Sequence, residues 1–324
     1  MVSMPTPAPA DQKIRLMVGG IEKQIYLPAK LAEQLGYFKD EGLDVELFTE
    51  PSGVAAEDEL LAGAVHGVVG FYDHCVDLQG KGKFVESVVQ FSHAPGEVEL
   101  VASKKAATIK SPADWKGKTL GVTGLGSSTN FLTQFIAVKY GLNLSDISVL
   151  PVGAGNTFIA AMQQGKIDAG MTTEPTISRM IKTGDAKVLL DMRTDEATRK
   201  ILGGNYPAAS LYMQNAWVDT HKAEAQKLAN AFVRTLRWIN SHSASEIADK
   251  MPKDYYAGDR DLYVKGLQDG KGMFTADGRM PADGPKTVLA VLSAFNKTLK
   301  GKTIDLSRTY TYEFVDVADK KYPK

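Results

Sequence analysis

The sequence predicts an α/β protein of two similar lobes that face each other across a cleft. Short apolar strands alternate with amphipathic helices, which favours parallel βαβ units with right-handed crossovers. The alternation also repeats at an offset of 102 residues. The matching pairs are Asp44 and Asp146, Gly53 and Gly155, Gly63 and Gly165, and Val65 and Ile167. Chance matching of common glycines is the alternative explanation of this repeat.

Length and composition fit a globular protein of about two domains. The 324 residues include 38 Lys and Arg and 38 Asp and Glu, so the formal charge is zero. A neutral chain without basic tracts disfavours nucleic acid or an anionic membrane as the main partner. The single cysteine, Cys75, excludes an internal disulfide and fits either a reducing compartment or the periplasm.

The first lobe begins after a Pro/Ala-rich segment over residues 1–12, which we expect to be a flexible leader. This leader lacks the features of a signal peptide, so it either follows a removed signal or is a cloning remnant. Strands are predicted over 14–18, 45–48 and 66–70, and helices over 26–35 and 54–62.

The second lobe repeats this order. Strands are predicted over 119–123, 147–151 and 167–171, and helices over 128–140 and 157–164. After Pro207, helices over 220–241, 259–267 and 286–299 are expected to pack on lobe one and form the hinge side. The predicted division is 13–103 plus 207–324 for lobe one and 104–206 for lobe two.

A Gly-Leu-Gly-Ser-Ser-Thr-Asn turn over residues 124–130 joins a buried strand to a helix. The start of a helix carries unpaired N–H groups and the positive end of the helix dipole. Ser127 and Ser128 therefore predict an anion seat, while a simple helix cap at Ser127 is the structural alternative.

Ligands of such sheets bind beyond the carboxyl ends of the strands, at the loops where the two lobes meet. These loops contain no arginine or lysine, although Lys23 follows the first of them. Asp73 and Glu174 suit an amine-bearing part of a ligand, or alternatively cap helices or pair across the hinge. Tyr206 either closes over the ligand or marks the hinge. The predicted ligand-binding residues are Gly20, Ile21, Tyr26, Ser52, Phe71, Tyr72, Asp73, His74, His93, Ser127, Ser128, Thr129, Asn156, Glu174 and Tyr206.

Other chemistries lack their motifs. The chain has no P-loop, no complete Gly-x-Gly-x-x-Gly and no Gly-x-Ser-x-Gly. His66, His74, Cys75 and His93 lack metal-chelating spacing, so neither a metal site nor a cofactor is predicted.

Several segments together resemble the solute-binding proteins of nitrate/sulfonate/taurine-type ABC importers, in the thiamine-pyrimidine-synthase-like superfamily. They are 26–29 (YLPA), 35–45 (LGYFKDEGLDV), 114–119 (DWKGKT), 164–169 (QGKIDA), 304–307 (IDLS) and 310–315 (YTYEFV). The resemblance implies a two-lobed type II periplasmic fold and a non-enzymatic, monomeric protein in the periplasm. It would capture a small organic anion, a sulfonate or carboxylate, and deliver it to an ABC permease.

Two alternatives stay open. The ligand could be an aromatic or pyrimidine-type compound, because His74 and His93 add polarity near the first-lobe pocket and His66 stands where the family usually has aspartate. The fold also hosts enzymes. Yeast-type thiamine-pyrimidine synthases, however, carry a cysteine-rich loop where this chain has 126–130, which contains no cysteine.

Overall fold

The computed structural model describes residues 12–323. Of the predicted leader, residues 1–11 lie outside this range and Gln12 begins the first strand. The described strands are β1 Gln12–Val18, β2 Leu43–Thr49, β3 Gly67–Phe71, β4 Val85–Gln90, β5 Glu97–Ala102, β6 Thr119–Val122, β7 Ser148–Pro151, β8 Ala169–Thr173, β9 Ala186–Met192 and β10 Ala209–Gln214.

The helices connect these strands and then cover the C-terminal part of the described chain. They are α1 Leu27–Gln34, α2 Tyr37–Asp40, α3 Gly53–Leu61, α4 Asp73–Gly80, α5 Ser128–Lys139, α6 Asn156–Gln163, α7 Thr176–Lys182, α8 Asp195–Leu202, α9 Asn215–Thr220, α10 Lys222–Ser241, α11 Ala244–Lys250, α12 Arg260–Gly270, α13 Gly284–Ser293 and α14 Glu313–Lys321. Among them, none combines the length and the apolar character needed to span a bilayer.

Two five-stranded sheets share one design. The strand order is β2-β1-β3-β10-β4 in the first sheet and β7-β6-β8-β5-β9 in the second. Four strands of each sheet run in one direction, and the fifth, β10 or β5, lies between two of them and pairs antiparallel with both. Strand β8 lies 102 residues after β3 at both ends, so the predicted repeat and the predicted two-lobed fold are confirmed.

The predicted boundary between the lobes is wrong at strand β5. The sequence division placed residues up to 103 in lobe one, whereas β5 pairs with β8 and β9 of the second sheet. The chain leaves the first sheet at Gln90 and enters the second at Glu97. The partners of β5 follow it by about 70 to 95 residues, so the local sequence could not show which sheet this strand joins.

The C-terminal helices complete the core of the first sheet, as predicted. Phe232 of α10 contacts Phe38 and Phe91, with ring centroids 5.3 and 4.8 Å away. Burying one such side chain stabilises the fold by roughly 1.5–3 kcal/mol. In addition, α12 contacts α7 and α13 contacts α5, so these two helices also touch the second lobe.

Candidate functional site

A cavity lies between the two sheets, beyond the carboxyl ends of their parallel strands. It has a volume of about 720 Å³, and we call it the cleft. Loops after β1 and β2 form one wall, and the loops after β7 and β8 form the other. Tyr255, before α12, also lines it. This is the place where sheets of this type bind small molecules.

A second, much smaller cavity lies next to the cleft, and we call it the inner chamber. Its volume of about 10 Å³ corresponds to about one water molecule. Lys23 lines both the cleft and the inner chamber. The other lining residues are Ile25, Tyr26 and Gly53 on the first-lobe side, and Glu97, Thr123, Ser127, Ser128, Thr129 and Thr173 on the second-lobe side.

Lys23 is a buried cation that backbone carbonyls of two loops, after β1 and after β2, hold in place. Its Nζ donates to the carbonyl oxygens of Gly19, at 2.6 Å, and Pro51, at 3.3 Å. Burial lowers the pKa of Lys23 to about 8, although Glu97 and Glu22 favour its charged form. The expectation of loops without a cation is therefore incomplete, because Lys23 folds back into the site.

Glu97 is the second ionisable group of the inner chamber. Its side chain is 2% exposed, and its Oε2 atom makes no hydrogen bond within the described range. Burial raises the pKa of Glu97 well above its usual range; Asp73 adds to this rise and Lys23 opposes it. Sequence reasoning missed Glu97 because it missed strand β5.

The start of α5 borders the inner chamber, and Ser127 holds the N-cap position there. Its side chain does not cap α5. Instead, Ser127 Oγ accepts a hydrogen bond at 3.2 Å from the N–H of Val54 in α3, on the other lobe. The simple-cap alternative is wrong, since this serine links the two lobes.

Asp73 forms a second link between the lobes. Its Oδ1 accepts from Ser128 Oγ at 2.7 Å, and its Oδ2 accepts from Tyr206 O–H at 2.8 Å. The carboxyl group is fully buried, and this burial raises the pKa of Asp73 against the opposing effects of His74, Ser128 and Tyr206. Both oxygens are thus occupied by protein donors.

The predicted ligand-binding residues next to Asp73 in the sequence lie in the core. Phe71, Tyr72 and His74 are each at most 1% exposed and line neither cavity. Tyr72 hydrogen-bonds to Thr309 at 2.5 Å, and His74 pairs with Glu57. Burial acts to lower the pKa of His74, but the Glu57 carboxylate outweighs it and raises the pKa to about 9.

Four further predicted residues also line neither cavity. Ser52 caps α3 by accepting from the N–H of Ala55. His93 pairs with Asp195 of α8, Tyr206 is engaged with Asp73, and the N–H of Ile21 donates to Thr49. These four residues, and also Phe71, Tyr72, Asp73 and His74, were predicted to line the ligand pocket, and none of them lines either cavity. Packing or hydrogen bonds to other parts of the protein occupy their side chains or their backbone.

Three predicted residues do line the cleft, namely Gly20, Asn156 and Glu174. Glu174 already has partners: it accepts from Ser178 and from Arg193, the latter at 3.0 Å. Burial raises the pKa of Glu174, and those partners oppose the rise. The capping alternative describes this residue, because Glu174 accepts from the Ser178 N–H in the first turn of α7; its ion pair with Arg193 lies within the second lobe and does not cross the hinge.

Arg179 is a cleft residue that the sequence analysis missed. It lies one turn into α7, and its guanidinium donates to Asn156 Oδ1 at 2.8 Å. The cleft wall therefore carries a half-buried positive charge beside the start of α6. Its only sequence signal was its position four residues after Pro175 in the loop that follows β8.

A family model described as "NMT1/THI5 like" matches residues 26–245. The chain belongs to the NMT1/THI5-like family. It is 38% identical to a protein of solved structure from Bordetella bronchiseptica RB50, with a TM-score of 0.91 over 96% of this chain and 98% of that one.

Two further relatives carry names that describe what they bind. The alkanesulfonate-binding protein SsuA from Xanthomonas axonopodis pv. citri, bound to MOPS, is 18% identical, with a TM-score of 0.73 over 94% of this chain and 99% of that one. The nitrate/nitrite binding protein NrtA from Nostoc is 20% identical over 76% of this chain and 59% of its own length. These matches confirm the predicted resemblance to solute-binding proteins of ABC importers and the predicted periplasmic-binding-protein fold.

Proposed function

We propose that this protein is the periplasmic solute-binding component of an ABC importer and that it captures a small organic anion, a sulfonate or carboxylate. The ligand binds between the lobes, and the closed, monomeric protein delivers it to a membrane permease. The observation that carries the proposal is the buried ammonium group of Lys23, at the wall common to the cleft and the inner chamber. The names of SsuA and NrtA support an anion as the ligand class.

The anionic head group belongs beside Lys23 and the start of α5. The first N–H groups of α5 have no partner within the helix, and the positive end of its dipole favours negative charge. Tyr26 lines the same chamber and can donate its hydroxyl proton. Since the chamber holds only about one water molecule, the lobes must separate slightly to admit the head group.

The body of the ligand extends into the cleft. A volume of about 720 Å³ accommodates an organic body much larger than nitrate. Arg179 and Asn156, on the far wall, are available to a second polar group of the ligand.

Titration calorimetry with benzenesulfonate, benzoate and benzylamine tests the charge of the ligand, since these probes share one ring and differ in head group. We expect the two anions to bind and the ammonium compound not to bind. Lys23→Met should weaken anion binding at least about tenfold, since it leaves the head group without its buried counter-charge. Lys187→Met, which removes an exposed lysine from β9, is the matched control and should bind as the parent does.

Two results would contradict the proposal. One is binding of benzylamine in preference to the anions, which would favour an amine-bearing or pyrimidine-type ligand. The other is chemical turnover of a bound probe, which would favour an enzyme on this fold.

A further inference from the structure

Glu97 lines the inner chamber, and its protonation state decides whether it repels or binds an anion there. A carboxylate in the inner chamber would repel an anionic head group bound beside Lys23, because it would offset the charge of the one cation among the residues that line the chamber. A carboxylic acid at the same place would instead present an O–H donor to that head group.

The Glu97 carboxyl group has an oxygen that no described protein group occupies, so it can donate to a ligand when it is protonated. Its Oε2 atom is buried and makes no hydrogen bond within residues 12–323, and Lys23 directs its Nζ to backbone carbonyls and forms no ion pair with Glu97. Asp73, which also raises the pKa of Glu97, lines neither cavity and has both oxygens occupied by Ser128 and Tyr206. Glu97 is therefore the chamber's one acidic group that still offers an oxygen to a ligand, among the described residues.

We infer that Glu97 is a specificity-determining residue of the proposed anion site: in the bound complex it carries a proton and donates it in a hydrogen bond to an oxygen of the ligand's head group. This inference rests on the proposed function. It assigns to the site a preference for anions that only accept hydrogen bonds at neutral pH, such as sulfonates. A site with an ionised carboxylate would instead select head groups that are protonated and can donate a hydrogen bond to it.

Several charged groups around Glu97 shift its pKa. Burial raises its pKa, Asp73 of α4 and Glu99 of the same strand raise it further, and Lys23 opposes them. Tyr26 and Tyr206 also face this carboxyl group. The register partners of Glu97 are Thr173 of β8 and Met192 of β9, and β9 places Asp191 opposite the next residue, Val98. Ser128 and Thr129 of α5 line the same chamber.

Proton uptake by Glu97 on ligand binding would make the affinity depend on pH, which can be measured. The complex holds one proton more than the free, open protein, in which water reaches Glu97. Affinity therefore rises as pH falls, by up to tenfold per pH unit between the free and bound pKa values of this group. Lys23 adds its own proton uptake near pH 8.

The test is calorimetry with benzenesulfonate from pH 5 to 9.5, in buffers of different ionisation enthalpy that report proton uptake. The probe itself does not titrate in this range. We expect the parent protein to take up a proton from Glu97 and Glu97→Gln to lose that part of the pH dependence while still binding. The comparison is made below about pH 6.5, under the Lys23 pKa of about 8, because Glu97→Gln also removes a carboxyl group that favours the charged form of Lys23.

Glu99→Gln is the matched control, because it removes a buried carboxyl group from the same strand that does not line the chamber. Its affinity should stay within about twofold of the parent, and it should still take up the Glu97 proton below about pH 6.5, although the pKa of Glu97 falls slightly without Glu99. The inference is overturned if the parent and Glu97→Gln show the same pH dependence, or if folded Glu97→Gln binds at no pH, since the amide keeps an N–H donor. If Glu97→Gln does not fold, proton uptake by the parent below about pH 6.5, under the Lys23 pKa of about 8, still decides whether Glu97 gains a proton on binding. Failure of every anion to bind the parent at any pH would instead remove the proposed function, and this inference with it.

Discussion

At the scale of single residues, the site depends on the turn after β1, where Gly20 lets the Lys23 side chain fold back into the protein. Gly20 has φ of +110°, a region that side chains with a Cβ rarely adopt. An added Cβ there would lie 2.5 Å from Cε of Lys23. The sequence marked Gly20 as a site residue, but it could not show that Lys23, three positions later, folds back over that glycine.

Gly20→Ala should therefore displace Lys23 as well as strain the backbone. We expect a loss of unfolding free energy of roughly 1–2 kcal/mol and a loss of benzenesulfonate affinity of about tenfold. Gly36→Ala is the control, because Gly36 also has positive φ, +76°, but no atom within 4 Å of an added Cβ. It should lose similar stability and keep its affinity, as measured by urea unfolding and calorimetry. Equal affinity losses in the two variants would show that Gly20 has no special relation to Lys23.

At the scale of elements, the parallel strands and their helices were predictable and the antiparallel strands were not. β1, β2, β3, β6, β7 and β8 each belong to a local strand–helix unit, which hydrophobic periodicity detects. β5 and β10 pair with strands far away in the sequence. The alternation of Glu97, Val98, Glu99 and Leu100 resembles a half-exposed strand, yet both of its faces are buried. Glu97 was missed for that reason.

The start of α5 was located correctly, but the role of its serine depends on the other lobe. Since Ser127 bonds to Val54 and does not cap α5, Ser127→Ala should destabilise the closed form by leaving that N–H unpaired. We expect affinity for benzenesulfonate to fall about 5- to 30-fold, corresponding to roughly 1–2 kcal/mol.

Ser243→Ala provides the contrast, because Ser243 does cap its own helix, α11, by accepting from the N–H of Glu246. That variant should lose about 1 kcal/mol of unfolding free energy and keep its affinity. The assignment of Ser127 as an interlobe link would be wrong if Ser127→Ala behaved in the same way.

At the scale of the whole molecule, contacts between the lobes surround the cleft. Lys182 of α7 pairs with Asp259 at the start of α12, and Arg193 pairs with Asp269 at 3.5 Å. Ser127 and Asp73 make the deeper contacts. Such a set of small contacts can be broken together when the lobes separate about the crossing segments 91–96 and 193–208. A ligand shifts this equilibrium only by binding the closed form better than the open form.

The central claim is that an anion bound beside Lys23 closes the lobes. The most direct measurement is the distance between spin labels at Lys39→Cys and Lys187→Cys, one on each lobe, in a Cys75→Ala background. We expect saturating benzenesulfonate to shorten the mean distance and narrow its distribution, and Lys23→Met to remain as open as the unliganded protein at the same probe concentration. An unchanged distance in a protein that calorimetry shows to be saturated, or full closure of Lys23→Met, would contradict the account.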